Sequence, residues 1–172
     1  MEFIQVLKDK TIKGKEKTEL ISQQILSETI GIDELFSQFG NLKDPEIATC
    51  IEALEYATKI NPAIATENSL NHLIETLLHK APRIKWESAK VIGNIIHKYP
   101  EKIDIAVNNL LKNTEDSGTV VRWSAAFALG QILLLKTKHN HDLIPKINAI
   151  IEREEKNSIK KIYQTALKKN QK

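Results

Sequence analysis

The sequence predicts an all-α fold assembled from stacked helical pairs, and three observations carry that prediction. Two stretches repeat: Pro82-Arg-Ile-Lys-Trp-Glu-Ser-Ala-Lys-Val-Ile-Gly93 and Thr119-Val-Val-Arg-Trp-Ser-Ala-Ala-Phe-Ala-Leu-Gly130 agree in the basic residue, the Trp, the small residues and the closing Gly, with Trp86 and Trp123 lying 37 residues apart. A fixed period of roughly 20–50 residues marks stacked units, none of which can bury its apolar face alone. Apolar residues recur at helical spacing along the chain, and no stretch alternates apolar and polar for long enough to argue a strand. Prolines punctuate the pattern: Asp44-Pro45 and Ala81-Pro82 are 37 residues apart, and Asn61-Pro62 and Tyr99-Pro100 are 38 apart.

Each element follows in order. Residues 1–43 hold two or three helices and form an N-terminal cap. Residues 44–80 form the first unit: Asp44 is the expected N-cap, and Pro45 sits in the first turn, where its missing N–H costs nothing. The helix closes before Pro62, because a proline cannot continue it. Glu52 and Glu55 rotate the apolar side of this unit, and Leu70–Leu78 supply its second helix. Residues 81–117 repeat the plan, with Ile103–Leu111 as the second helix, and residues 118–156 repeat it again, with Leu143–Ile151. Residues 157–172 are a C-terminal helix and basic tail, in which Ile159 falls 38 residues after Val121. The helix starts are therefore expected near Pro45, Pro82, Thr119 and Ser158, within one domain over 1–172. Stepping about 100° per residue puts Ile84, Ser88, Ile92, Ile95 and Ile96 on one side of the second unit. Val121, Ala125, Leu129, Ile132 and Leu133 occupy the same side of the third. Ala89, Ala125, Ala126 and Ala128 allow close helix approach, and close contact is the expected return for Gly93 and Gly130 at mid-helix.

Composition limits the function classes. Apolar residues make up 41% and charged residues 27%, ordinary values for a water-soluble globular chain. The longest apolar stretch, Phe127 to Leu135, is too short to span a bilayer. No secretory signal is expected, and Cys50 stands alone, so a reducing cytoplasmic setting is the expectation. The net charge of +3 is unevenly spread: residues 153–172 hold seven Lys/Arg against two acids, residues 1–17 hold five against three, and the remaining body carries −4. Excess positive charge at the ends, rather than on the body, argues against a nucleic-acid-binding face.

Asp44-Pro45, Val121-Arg122, Ala125-Ala126 and Ala128-Leu129-Gly130 resemble the HEAT repeat, in the short bacterial and archaeal variety also found in phycobilisome lyases. Ile84-Lys85, Ala89 and Gly93 answer to the same pattern more loosely, and Ala48 stands where the first unit would carry the basic residue. The resemblance covers roughly residues 30–170. It implies a right-handed α-solenoid of about four helical pairs whose Pro-started helices line the concave surface. It also implies that Lys85, Arg122 and Lys160 belong to a ladder of ion pairs between neighbouring units. The pattern is one of packing, so it names no activity.

Opposite the core side, at about 200–240° on the wheel, the second unit carries Trp86, Lys90 and His97 and the third carries Trp123, Phe127 and Leu134. Lys161, Thr165 and Lys168 follow in the C-terminal helix. Stacked in order these form a strip that holds both Trp residues of the chain. The expected function is a non-enzymatic scaffold that docks a protein or peptide through Trp86, Lys90, His97, Trp123, Phe127 and Lys161, with the lysines favouring an acidic or phosphorylated partner. The alternative is a nucleic-acid binder similar to the HEAT-like alkylpurine DNA glycosylases. Those enzymes place an Asp among their aromatic residues, whereas Lys90 and Phe127 follow the two Trp here. A bilin lyase or chaperone is suggested only by the variety of repeat.

No catalytic set and no cofactor is expected. His139 and His141 in Lys138-His-Asn-His-Asp142 are read as a solvated polar loop rather than metal ligands. His72 and His79 read as surface or interface residues, and Cys50 as a small core residue. Glu52, Glu55, Glu152, Glu154 and Glu155 read as solvated helical charges.

Overall fold

The computed structural model describes residues 2–171, and within them every regular element is helical. Ten α-helices follow one another among the described residues: α1 Phe3–Lys8, α2 Gly14–Leu26, α3 Ile32–Ser37, α4 Asp44–Ile60, α5 Glu67–Thr76, α6 Pro82–Ile95, α7 Ile103–Asn113, α8 Thr119–Leu134, α9 Asn140–Arg153 and α10 Asn157–Asn170. Short 3-10 turns link several of them, at Pro62–Ile64, Ile96–Lys98 and Pro100–Lys102 among others.

The helices form two layers. In one, α2, α4, α6, α8 and α10 pack each against the next; in the other, α5 packs on α6, α7 on α8 and α9 on α10, while α3 packs on α5. Neighbours within the first layer touch along much of their length, whereas α5 and α7 touch sparsely. Unequal spacing bends a stack toward its tighter side, so the exposed side of α2, α4, α6, α8 and α10 is the concave face. The N-terminal cap takes part in this ladder, since α2 and α3 stack on α4 and α5 as another pair, with α1 lying against α2.

The predicted core side is the buried side. All ten residues that the wheel assigned to it, from Ile84 to Leu133, are buried. Burying aliphatic side chains of this size contributes about 1.5–3 kcal/mol each, and the stacked core draws on that term in every unit. One local expectation changes. Asp44 is the first helical residue of α4 rather than its cap; the cap position is Lys43, whose backbone N–H donates to the Glu46 carboxylate at 2.8 Å. A residue followed immediately by Pro at a helix start can serve either position, and here the Glu46 carboxylate, three residues on in the first turn, accepts from the cap residue's N–H.

Small residues set the helix spacing. Ser88, Ala89, Ala125, Ala126 and Ala128 are all buried. Gly93 lets α8 approach α6 so closely that an added Cβ would lie 2.5 Å from the Phe127 ring and 3.4 Å from the Ala128 Cα. Loop contacts tie consecutive units together: the Tyr99 hydroxyl donates to the Ala65 carbonyl at 2.7 Å, and the Asn113 amide donates to the Leu77 carbonyl at 3.0 Å, closing the end of α5.

Candidate functional site

Helix α8 has α6 and α10 on its flanks and α7 behind it, so its remaining side faces the concavity. That side carries Trp123, 40% exposed, with its ring parallel to Phe127 at 6.2 Å between centroids and an interplanar angle of 5°. The pair is an i, i+4 neighbour on the helix, and stacking orders both rings in the free protein. On α6, Trp86 is half-buried and its indole N–H donates to Glu87 Oε1 at 2.8 Å. The two Trp residues are therefore unequal: Trp123 is presented and Trp86 is tied down.

Lys90 is held by carboxylates. Its Nζ lies 2.9 Å from Glu87 Oε2 and 3.6 Å from Glu55 Oε2. Burial alone lowers the Lys90 ammonium, but the hydrogen bond and charge of Glu87, with Glu55 and Glu52 beyond, outweigh it and hold the pKa above the ordinary lysine value. Lys90 thus neutralises two buried acids. Glu55 and Glu87 are 8% and 4% exposed, so the expectation that Glu55 is solvated is wrong. The reason is the tight α4–α6 contact, which places 55 and 87 at the seam between the helices. Sequence reasoning missed Glu87 altogether; the adjacent Trp86 and the Lys90 three residues on were the available signal.

His97 lies past the end of α6, exposed in the 3-10 turn Ile96–Lys98, where the 100° register of the helix no longer applies. Lys161 and Thr165 are exposed on α10 and face an open groove of 330 Å³ between α8 and α10. Its walls are Phe127, Leu134, Ile162 and Ala166, and Lys169 stands with Lys161 at its edge.

The basic residues at the rim of the core make inter-unit pairs. Lys85 Nζ lies 2.8 Å from Asp116, and Arg122 Nε lies 2.9 Å from Glu154. Each cation reaches the acid in the loop before the next concave helix, 31 or 32 residues on. Burial pushes the Glu154 carboxyl up, but hydrogen bonds from Arg122 and the Lys156 amide outweigh it and hold the pKa below the ordinary glutamate value. Asp116 is likewise held low, burial being outweighed by Lys85 and the Gly118 amide. Glu154, read from sequence as solvated, is 6% exposed because it accepts the Arg122 guanidinium in the tight turn between α9 and α10. Lys160 is half-buried on α10, and no ion pair to it occurs among the described residues.

The remaining candidates are structural. Cys50 is fully buried, and burial together with the nearby Glu46 pushes its thiol up to about 12, so it is a poor nucleophile. His139 departs from the solvated loop expected for it: its Nδ1 lies 2.6 Å from Asp104 and its side chain is 16% exposed, because the connection to α9 is short and folds onto α7. His141 is exposed on α9. The His72 ring stacks on Phe36 at 5.2 Å, joining α5 to α3. Among the described residues no group of three or more His, Cys, Asp or Glu is placed to hold a metal ion, and no helix is long and apolar enough to cross a membrane.

No family model matches the sequence, and no curated protein does either. Solved structures do match. One is a designed armadillo repeat protein in complex with the peptide (KR)4, with a TM-score of 0.76 at 19% identity over 98% of this chain and 80% of that one. A second set of computationally designed armadillo repeat proteins for modular peptide recognition gives 0.74 at 17% identity over 97% and 80%. The complex of CpcE and CpcF of phycocyanin lyase from Nostoc sp. PCC7120 gives 0.73 at 14% identity over 96% and 97%. The fold is thus the armadillo/HEAT-like α-solenoid, shared by peptide-binding designs and by a lyase.

Proposed function

We propose that this protein is a non-enzymatic scaffold that docks a protein or peptide segment across its concave face. The observation that carries the reading is the Trp123–Phe127 stack, a preordered aromatic pair on the concave side of α8 in which Trp123 is exposed and Phe127 half-buried. Aromatic residues anchor binding surfaces because they bury large area at low conformational cost. Peptide is favoured over nucleic acid because Glu52, Glu55 and Glu87 lie along the α4–α6 part of the same face, and the cations beside them, Arg83 and Lys90, are already paired. A phosphate backbone crossing that region would meet the buried acids Glu55 and Glu87 and cations already engaged by carboxylates.

The test is selection of a random dodecapeptide display library on the intact protein, followed by affinity measurement of the selected peptides for the parent and for Trp123→Ala. Selected peptides should lose about tenfold or more in affinity for the variant, the loss usual for a central aromatic anchor. Failure to select any peptide, or equal binding to both proteins, would contradict the reading.

A further inference from the structure

The repeat itself shows what fits over its glycine. On α6, Gly93 is covered by the ring of Phe127 from the next concave helix, with an added Cβ falling 2.5 Å from Cε1 and 3.0 Å from Cδ1. One unit further, Gly130 stands in the place of Gly93, and Thr165, 38 residues after Phe127, stands in the place of the ring. Threonine does not reach across. An added Cβ at Gly130 would meet only Ala166 and Ile162, at 3.5 and 3.8 Å, and the space above is the 330 Å³ groove between α8 and α10. A cavity of about 150 Å³ lined by aliphatic and aromatic groups holds a benzene ring, so there is room for an aromatic side chain.

Charge narrows the occupant further. Helix α10 carries Lys160, Lys161, Lys168 and Lys169 and no acid. Among the described residues none of these four makes an ion pair, whereas Arg83, Lys85, Lys90 and Arg122 on α6 and α8 all do. Among α6, α8 and α10 the unneutralised charge is thus confined to α10, which forms one wall of the unfilled notch. We propose that this groove takes an aromatic side chain from a peptide whose neighbouring residues are acidic, the ring lying over Gly130 as Phe127 lies over Gly93 and the carboxylates meeting Lys161 and Lys169. The proposal deepens the concave-docking reading and rests on it. The ring would continue the Trp123–Phe127 stack and remove its own apolar area from water. A nucleic-acid strand fits less well, since the unpaired lysines at the groove, Lys161 and Lys169, belong to a single helix and would meet only one or two phosphates.

Two variants and one defined probe test this. Thr165→Phe supplies from α10 the ring that the repeat pattern lacks, and it should fold, because the groove is open and Phe127 already shows the geometry. Lys161→Glu changes only an exposed charge. The probe is an acetylated, amidated pentapeptide with Phe between pairs of acidic residues, titrated against the full chain and followed by Trp fluorescence and calorimetry. The parent should bind it, with affinity falling as salt rises; Thr165→Phe should weaken it by about tenfold or more, and Lys161→Glu by several-fold. The same peptide with Ala at the centre should not bind. If displayed peptides bind in a Trp123-dependent way but lack an aromatic–acidic core, or bind Thr165→Phe as tightly as the parent, the groove assignment is wrong while concave docking stands. If no peptide binds anywhere, both fail. Tighter binding of a single-stranded oligonucleotide than of the pentapeptide, abolished by Thr165→Phe, would overturn the peptide as occupant. Retained helical circular dichroism is required of both variants; should Thr165→Phe unfold, Thr165→Leu, which fills the notch with less bulk, takes its place with the same expected loss.

Discussion

Gly93→Ala and Gly130→Ala are the same chemical change at equivalent points of two successive units, and the structure predicts opposite signs. In either helix, replacing Gly by Ala contributes about 0.5–1 kcal/mol through backbone entropy. At Gly130 the new methyl meets Ala166 at 3.5 Å, an ordinary contact, so the gain should be kept. At Gly93 the methyl would lie 2.5 Å from Phe127 Cε1 and 3.4 Å from the Ala128 Cα, so the ring must shift from its place beside Trp123 to make room. Over-packing of this kind costs about 1–3 kcal/mol, which leaves a net loss of up to about 2.5 kcal/mol after the helical gain. For a chain of this size about 1 kcal/mol moves the melting midpoint by about 2–4 °C. Thermal and urea unfolding of both variants, read by circular dichroism, should therefore separate them in opposite directions from the parent. Repeating Gly93→Ala in a Phe127→Ala background removes the clash, so the substitution should there become stabilising, with a coupling energy of about 1–3 kcal/mol. Equal stability of Gly93→Ala and Gly130→Ala would refute the notch-and-ring reasoning on which the groove assignment depends.

Other expectations follow from the same contacts. Ala125→Leu and Ala126→Leu, at fully buried positions between concave helices, should each lower the urea midpoint by an amount equivalent to about 1–3 kcal/mol. Stability should fall in acid: Glu154 and Asp116 are held below their ordinary values of 4.5 and 3.8, so their contribution is complete above those values and is lost as pH drops through the depressed folded ones. Glu154→Gln should be less stable than the parent at neutral pH and show a shallower acid slope in urea unfolding. Acrylamide should quench Trp123, measured in Trp86→Phe, more steeply than Trp86, measured in Trp123→Phe; equal slopes would mean that the Glu87 tether does not hold Trp86 in.

Much of the fold was legible because packing repeats. The 37-residue echo between Trp86 and Trp123 and the Pro-marked starts located α4, α6, α8 and α10 to within a residue or two. Alanine and glycine at fixed offsets announced close helix contact, and the structure places Gly93 and Gly130 at such contacts. The strip was only half legible. A helical wheel gives the direction of a side chain but not what the adjoining helix places there, so the unequal exposure of the two Trp residues could not be read. Nor could the burial of Glu55 and Glu87 around Lys90, which depends on the register of α4 against α6. His97 escaped because α6 tightens into a 3-10 turn at Ile96, which breaks the angular count. The groove over Gly130 is visible only as a missing ring, once Phe127 is seen lying on Gly93.

The central claim, that partners dock on the concave face through the α8 aromatic pair, is tested most directly by amide chemical-shift mapping of the labelled full chain with a selected peptide. Perturbations should concentrate on the concave sides of α6, α8 and α10, at Trp86, Trp123, Phe127, Lys161 and Thr165, with α5, α7 and α9 largely silent. Perturbations confined to α5, α7 and α9 would contradict it.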